Sequence, residues 1–254
     1  VSDIYGGRGL EIVSGDGALI RDSLGKTHID FLCGSGSALF GHCHPVLMEA
    51  AARAIRSPWT TSPGLLSTAR DNFRKVLASL LPEGKVFLCN SGTEAIEASL
   101  KLATALRPER KKIVALRRAF HGRTLGSLAL TFNPQYRKAW TSILPTVTHV
   151  TAADAPSVID KETAVVFVEP IQGEGGVHPL DAAQGMSITK ACKDSGALLA
   201  VDEVQSGWGR CGSLLASSQT GLDPDIVALA KGLAGGLPVG AVIWKGELGD
   251  FPAK

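Results

Sequence analysis

The 254-residue chain has no two cysteines at CxxC spacing. Its five, Cys33, Cys43, Cys89, Cys192 and Cys211, are scattered and odd in number, which argues against a disulfide framework and for a reducing, cytoplasmic compartment. Neither sign of charge prevails. Lys and Arg number 26 against 24 Asp and Glu, and a net charge of +2 gives no footprint for nucleic acid or an anionic membrane as partner. The basic cluster Arg107 to Lys112, continuing to Arg117 and Arg118, reads as the solvated end of a helix and the start of a strand. No apolar run is long enough to span a membrane, and no signal peptide, internal repeat, low-complexity tract or interdomain linker is visible. The would-be metal half-site of His42, Cys43 and His44 has no second ligand pair and runs into Pro45, so it reads as a structural turn without metal. Nucleotide fingerprints are missing too: no Walker lysine follows the helix start near Ser91, and Gly34 to Gly36 lacks the third glycine and the acidic residue of a dinucleotide site. The sequence begins with Val1 and stops at Lys254, shortly after a strand-like run from Ala241 to Trp244, so both ends are expected to be cut edges of a longer protein.

What is present is a globular composition, 44% hydrophobic and 20% charged, long enough for one large core or for a domain of about 200 residues with a partial second one. Short alternating stretches at Leu10 to Val13, Ala18 to Arg21 and His28 to Leu32, parted by turn residues, predict a small antiparallel meander. Pro45 to Ile55 reads as a helix with proline in its first turn, a turn-rich segment around Trp59 follows, and helix returns over Ser67 to Leu81. From there the pattern alternates. Strand-like runs at Val86 to Cys89, Ile113 to Leu116, Val147 to Val150, Ala164 to Val168, Leu198 to Val201 and Ile226 to Ala230 are spaced by helical stretches, clearest at Glu94 to Leu106 and Ala182 to Ser195. That is the pattern of an α/β domain with a mostly parallel sheet.

Ligands of such sheets gather at the carboxyl edge of the strands, where Asp202 and Lys231 each follow an apolar run. An amine that can form a Schiff base and a carboxylate that can pair with a pyridinium nitrogen are the groups pyridoxal phosphate needs most. Plainer roles stay open: Asp202 as a strand-end cap and Lys231 as a solvated helix start. The segment from Cys89 onward opens a helix at Ser91 or Gly92, whose free amides and dipole favour a phosphate by roughly 1 to 2 kcal/mol. Ser91 and Thr93 add hydroxyls and Gly92 lets the backbone approach, although Thr93 with Glu97 would also serve as an ordinary cap. Three further clusters share the expected edge. Phe120 offers an aromatic face and Arg123 a guanidinium that can hold a carboxylate in two bonds. Glu174 sits in a glycine loop after the strand ending at Val168, and Asp202, Val204 and Gln205 can all reach a planar ring. Each also has a plain reading: Phe120 as core, Arg123 and Glu174 as surface ions, the glycines as turns.

Taken in order, NSGTEA, AFHGRT, EPIQGEGGV, DEVQSGWGR and LAKGLAGGLPVGA resemble the class III (subgroup II) pyridoxal-phosphate-dependent aminotransferases, and within them the acetylornithine aminotransferase group. The resemblance covers essentially the whole chain, since LIRDSLGKTHIDF and the GHCHP turn match the family's amino-terminal region. It implies a fold type I transferase: residues 1–44 as the amino-terminal segment of a small α+β domain, and 45–254 as a large cofactor domain, a mostly parallel sheet flanked by helices, incomplete at its carboxyl end. Residue by residue, it makes Lys231 the Schiff-base lysine and proton carrier, and Asp202 the partner of the ring nitrogen. Ser91, Gly92 and Thr93 fall at the phosphate, Phe120 and Val204 on the ring, and Gln205 at its phenolic oxygen. Arg123 matches a binder of a substrate carboxylate, and Glu174 a glutamate that can mask a second arginine beyond this chain.

The implied reaction is ping-pong transfer of a terminal amine to 2-oxoglutarate, leaving an aldehyde, with N2-acetylornithine in arginine biosynthesis as first choice of donor. Alternatives are a carrier-protein-bound intermediate of lysine biosynthesis, suggested by GRTLGSLALTFNPQYR, and ornithine or 4-aminobutyrate. A non-catalytic scaffold of the same fold would be betrayed by loss of the lysine or aspartate, and both are present. Sites shared between subunits imply at least a homodimer. Ile96, Trp208 and Cys211 depart from the group's usual Asn, small aliphatic residue and Thr. Ile96 is expected to face away from the phosphate, whereas Trp208 is expected to lie near the cofactor loop. The family's last third, with a threonine for the partner's phosphate and the second substrate arginine, is not in this sequence. The segment alone is therefore expected to be poorly active and prone to associate.

Overall fold

The computed structural model describes Gly6, residues 9–58 and residues 60–252; Trp59, in the turn-rich segment, lies outside the described residues. The chain opens with β1 (Ile12–Asp16), β2 (Leu19–Asp22) and β3 (Thr27–Ile29), an antiparallel meander as the alternation predicts. β3 stops at Ile29 rather than Leu32 because the Asp30 carboxylate accepts from the amides of Leu32 and Cys33, each at 2.9 Å, and turns the chain. The His42 to His44 turn ties back to the meander. Gly17 and His42 exchange backbone hydrogen bonds of 3.0 and 2.8 Å, and the His42 ring meets Asp30 at 2.7 Å.

Helix α1 (Pro45–Ala54) has proline in its first turn and buries none of its residues, leaving Val46 and Met48 exposed. Helix α2 (Thr68–Ala78) is capped by Ser67, whose hydroxyl accepts from Arg70 N at 3.5 Å. It ends at Ala78, shorter than the expected Leu81, and sends Leu77 into the core.

The α/β body then follows: β4 (Lys85–Cys89), α3 (Gly92–Leu106), β5 (Lys112–Leu116), α4 (Leu125–Leu130), β6 (Thr148–Val150) and β7 (Thr163–Val168). A two-stranded ribbon, β8 (Ile171–Gln172) with β9 (His178–Pro179), precedes α5 (Ala182–Ser195), β10 (Leu198–Asp202), β11 (Ile226–Leu229) and β12 (Gly240–Trp244). Helix α5 starts at Asp181, which accepts from Ala183 N at 2.8 Å, and ends on Gly196 with φ 74. Among the described helices, none is long and apolar enough to cross a membrane.

Seven strands form one sheet in the order β4-β12-β11-β10-β7-β5-β6. All neighbouring pairs are parallel except those of β12, which is antiparallel to both β11 and β4. The β10 and β7 runs are buried at every residue, as strands covered on both faces must be. Alternation then divides their side chains. Val165 and Phe167 pack with Ile96 and Leu102 of α3 under one face, while Val166 and Val168 pack with Ile188 of α5 on the other. A third cluster, Leu77 with Val227, Leu229 and Ile243, seals α2 against the sheet. Each such large aliphatic side chain contributes about 1.5 to 3 kcal/mol by leaving water. Because α3 runs from the end of edge strand β4 beneath β12 and β11, its amino end lies beside the carboxyl ends of β10 and β11.

Candidate active site

The start of α3 is the first wall of the site. Ser91 is its cap: the hydroxyl accepts from Glu94 N at 3.1 Å, and Glu94 in turn accepts from Asn90 N at 2.7 Å and from the Ser91 hydroxyl at 3.2 Å. This reciprocal cap replaces the expected Thr93 and Glu97 pair. Glu97 instead accepts from Ser127 N at 3.0 Å and from the Thr124 hydroxyl, which fastens α4 to α3. The first helical amides, including those of Gly92 and Thr93, have no acceptor within the helix and are available to an anion. Gly92 must be glycine here. A Cβ would lie 2.6 Å from Val204 Cγ1 and 3.4 Å from Ala230 Cβ, so the helix start is pressed against the ends of β10 and β11.

Asp202, the last residue of β10, is buried. Its two oxygens are both held: Oδ1 accepts from Val204 N at 2.9 Å, and Oδ2 lies 2.8 Å from His121 Nδ1. His121 is itself fixed by its backbone amide, which donates to the Thr131 hydroxyl at 2.9 Å. Burial alone would lower the His121 pKa, but its bond to Asp202 and the charges of Asp202 and Glu169 outweigh that and raise it. The other ring nitrogen, Nε2, is buried without a hydrogen-bond partner.

Lys231 follows β11 after one residue and adopts the left-handed region, φ 44, uncommon for a residue with a side chain. That turn sends Nζ to Gln205 Oε1 at 2.8 Å. Burial lowers the lysine's pKa, opposed by the negative charges of Asp202, Glu174 and Glu169. The amino-terminal segment reaches the same place. A Cβ on Gly36 would sit 3.6 Å from Lys231 Cδ, and Arg210 bonds both Gln205 O, at 2.7 Å, and Gly36 O.

These groups open on one cavity of ≈ 360 Å³, lined among others by Ser91, Gly92, Thr93, Phe120, Asp202, Val204, Gln205 and Lys231. Every residue expected at the cofactor is thus brought together. Arg123 and Glu174 are exposed and do not line it; the Arg123 guanidinium stacks on Tyr136, 4.6 Å from the ring centroid, and Glu174 is near enough for its charge to act on Lys231. Ile96 is fully buried beneath the sheet, away from the cavity as helical spacing predicts. Trp208, expected near the cofactor loop, packs against the cluster that holds Leu77, Leu229 and Leu233 and is not on the cavity wall.

Sequence reasoning missed two members. His121 lies inside AFHGRT, between Phe120 and Arg123, where no spacing singles it out. Glu169 is buried, accepts from Phe120 N at 2.9 Å and lines the cavity. Burial pushes its carboxyl up to about 8. The available signal is its place: an acid directly after the buried apolar run Ala164 to Val168 has little access to solvent. The cavity suits pyridoxal phosphate in its donor set. A helix amino end with the Thr93 hydroxyl fits a phosphate, a fixed carboxylate fits a ring nitrogen, Phe120 and Val204 give apolar walls, and a partly buried amine stands beside them.

The sequence pattern of the class-III aminotransferases matches residues 7–253. An acetylornithine aminotransferase of Listeria innocua is 42% identical over 245 residues, covering 94% of this chain and 62% of that protein. A Pyrobaculum aerophilum protein, a candidate LysW-aminoadipate semialdehyde/glutamate semialdehyde transaminase, is 37% identical over 256 residues, covering 98% of this chain and 66% of its own length. Among solved structures, the ornithine aminotransferase of Toxoplasma gondii, with pyridoxal phosphate partly occupying its active site, superposes with a TM-score of 0.91 at 29% identity, covering 98% of this chain and 61% of that one. The chain therefore spans a little over three fifths of the length of these relatives. With its sequence pattern matched from end to end and its fold shared, the chain belongs to the class-III aminotransferases, a family of pyridoxal-phosphate-dependent enzymes.

Proposed function

We propose that the full-length protein is a pyridoxal-phosphate-dependent aminotransferase that moves a terminal amine, that of N2-acetylornithine by preference, to 2-oxoglutarate, releasing an aldehyde and glutamate. The observation that carries this reading is the convergence of Lys231 and the doubly held Asp202 carboxylate on one cavity, beside the open amino end of α3. Identity of about 42% to an acetylornithine aminotransferase supports the choice of donor.

Pyridoxal phosphate, when bound, supplies an aldehyde that condenses with amines and a protonated ring that accepts electron density from a neighbouring carbon. The chain's residues take the remaining tasks. The amides of Gly92 and Thr93, with the Thr93 hydroxyl, hold the phosphate, and the Ser91 hydroxyl joins them by turning its hydrogen away from Glu94. Asp202, kept in place by Val204 N and His121, keeps the ring nitrogen protonated. Phe120 and Val204 cover the ring and exclude water. Lys231 Nζ, whose ammonium form burial disfavours, takes up and returns a proton at that atom. Gln205 accepts from Nζ through Oε1 and keeps its amide hydrogens for the phenolic oxygen. Arg123 binds a substrate carboxylate, and a movable Glu174 lets one pocket serve both donor and acceptor.

In this reading residues 1–44 belong to a small domain and 45–254 to the large one. The protein works in the cytoplasm as a homodimer, which would cover apolar side chains such as Leu24, Phe31 and Leu66, each about nine-tenths exposed here. A second donor is favoured by the Pyrobaculum relative: an intermediate bound to a carrier protein. The deciding experiment is the visible spectrum of the full-length protein titrated in parallel with acetylornithine, ornithine and 4-aminobutyrate. Loss of the cofactor band with acetylornithine alone supports the first reading. A band that persists with all three moves the proposal to the carrier-bound donor, and no band at all removes the aminotransferase reading.

A further inference from the structure

Gly173 occupies a place where its own backbone does not ask for glycine. Its φ lies outside the left-handed region, unlike that of Gly176 in the same loop, φ 119. Its carbonyl anchors the turn between β8 and β9 by accepting from Gly176 N and Val177 N, each at 3.3 Å, a task any residue could perform. What singles it out is the space above it. A Cβ on Gly173 would come within 2.5 Å of Gln205 Oε1, 2.6 Å of Cδ and 2.9 Å of Nε2. The same Oε1 accepts from Lys231 Nζ at 2.8 Å. Gln205 cannot hold that position against a methyl group.

We propose that Gly173 is a positioning residue for the lysine amine: by lacking a side chain it leaves room for the Gln205 amide to lie against the glycine loop with its oxygen on Lys231 Nζ. The inference deepens the proposed function and rests on it for the role of the lysine. It also links two parts of the site. Gly173 is bonded to Glu174, and a Cβ on Gly175 would meet Arg118 O at 2.5 Å, so the loop is fitted between the Arg118 backbone and Gln205. A loop that shifts to move Glu174 changes the room available to Gln205, and with it the hydrogen bonding of the amine.

Gly173 differs in this from Gly92, another close-packed glycine of the site. At Gly92 the obstacle is Val204, a short branched side chain, with contacts of 2.6 and 3.0 Å to its methyl groups, so a substitution must move backbone. At Gly173 the obstacle is the far end of a flexible side chain. Rotation of Gln205 relieves it, the fold survives, and the cost falls on the bond to Lys231.

The test uses the full-length protein freed of cofactor, so that it does not depend on turnover. Acetylation of Lys231 by acetic anhydride is followed by mass spectrometry, with the exposed Lys161 as internal standard. Near neutral pH, Gly173→Ala is expected to acetylate at Lys231 about fivefold faster than the parent, because the ammonium has lost an acceptor in a site where burial already disfavours it. Gln205→Leu is expected to do the same, and the double variant to be no faster than Gln205→Leu alone. An unchanged Lys231 rate in either single variant overturns the proposal, as do effects that multiply in the double variant. If Gly173→Ala folds poorly, Gly173→Ala combined with Gln205→Ala must recover the parent's urea midpoint; failure to recover shows that Gln205 is not what the glycine makes room for. Absence of a cofactor band in the parent would end the aminotransferase reading and leave the labelling result to be judged separately.

Discussion

His121 Nδ1 lies 2.8 Å from Asp202 Oδ2, with both side chains shut off from solvent. With Val204 N on the other oxygen, the carboxylate is fixed at both atoms by the protein itself. His121→Ala would leave Oδ2 buried without a donor, at a cost of about 1 to 3 kcal/mol. The expected outcome is a lower urea midpoint and a dissociation constant for pyridoxal phosphate raised about tenfold. His121→Asn, which can still donate, should fall between. A parent-like binding curve for the alanine variant would show that Asp202 needs no such support.

Glu169 couples the same group to pH. Burial pushes its carboxyl up to about 8, far above the 4.5 of a free glutamate. A group whose folded value is raised holds its proton more tightly in the folded state. Its contribution is complete below pH 4.5 and is lost as pH rises through about 8. His121, which burial would lower but its Asp202 bond raises, acts in the same sense above its usual 6.5. The cofactor-free protein is expected to lose stability as the pH rises across this range. Glu169→Gln keeps an oxygen for Phe120 N and should flatten the loss, matching the parent near pH 5 and exceeding it by about 2 kcal/mol near pH 9. Urea unfolding at a series of pH values checks this, and parallel slopes for the two proteins would place the pH dependence elsewhere.

How legible the site was in sequence depended on whether a residue acts through its type or through its surroundings. Lys231, Asp202 and the start of α3 were found because apolar runs locate strand ends and glycine with hydroxyl residues marks a helix start. Asp202 and its neighbour Glu203 look alike in sequence, yet alternation sends them apart. Glu203 turns into the protein, where it accepts from Ser206 Oγ at 2.5 Å and Ser217 N at 2.7 Å and fastens the loop after β10. His121 carries no local pattern, since its importance comes from burial and from a partner 81 residues away, and Glu169 shows itself only by following an apolar run. The antiparallel placement of β12 was equally hidden, because an apolar run fixes a strand but not its direction. Trp208 follows Gln205 by three residues, yet it packs against the cluster of Leu77, Leu229 and Leu233 and does not line the cavity, because nearness in sequence does not fix where a side chain packs.

Gly92→Ala tests the proposed anion site at the start of α3. The added methyl would press on Val204 Cγ1 at 2.6 Å and push the helix start away from β10. Affinity for pyridoxal phosphate is expected to fall about a hundredfold, against roughly tenfold for Thr93→Ala, which removes one hydroxyl and leaves the amides in place. Equilibrium titration of the cofactor-free protein measures both, and equal losses would mean that the hydroxyl counts for as much as the placement of the helix end.

Lys231→Ala separates the lysine's chemistry from its structural role. The side chain ends in a cavity, and its ammonium form is disfavoured there by burial, so its removal should cost the fold little: a change of no more than about 1 kcal/mol by urea unfolding. Its left-handed backbone, φ 44, remains a small strain for alanine as it is for lysine. On the proposed function, glutamate formation from acetylornithine and 2-oxoglutarate is expected to fall at least about a thousandfold, since that reading gives Lys231 both the reacting amine and the proton transfer. Activity within tenfold of the parent's, in a protein of unchanged stability, would place the reacting amine on another residue, and the carboxylate of Asp202 would then have no lysine to work with on this edge of the sheet.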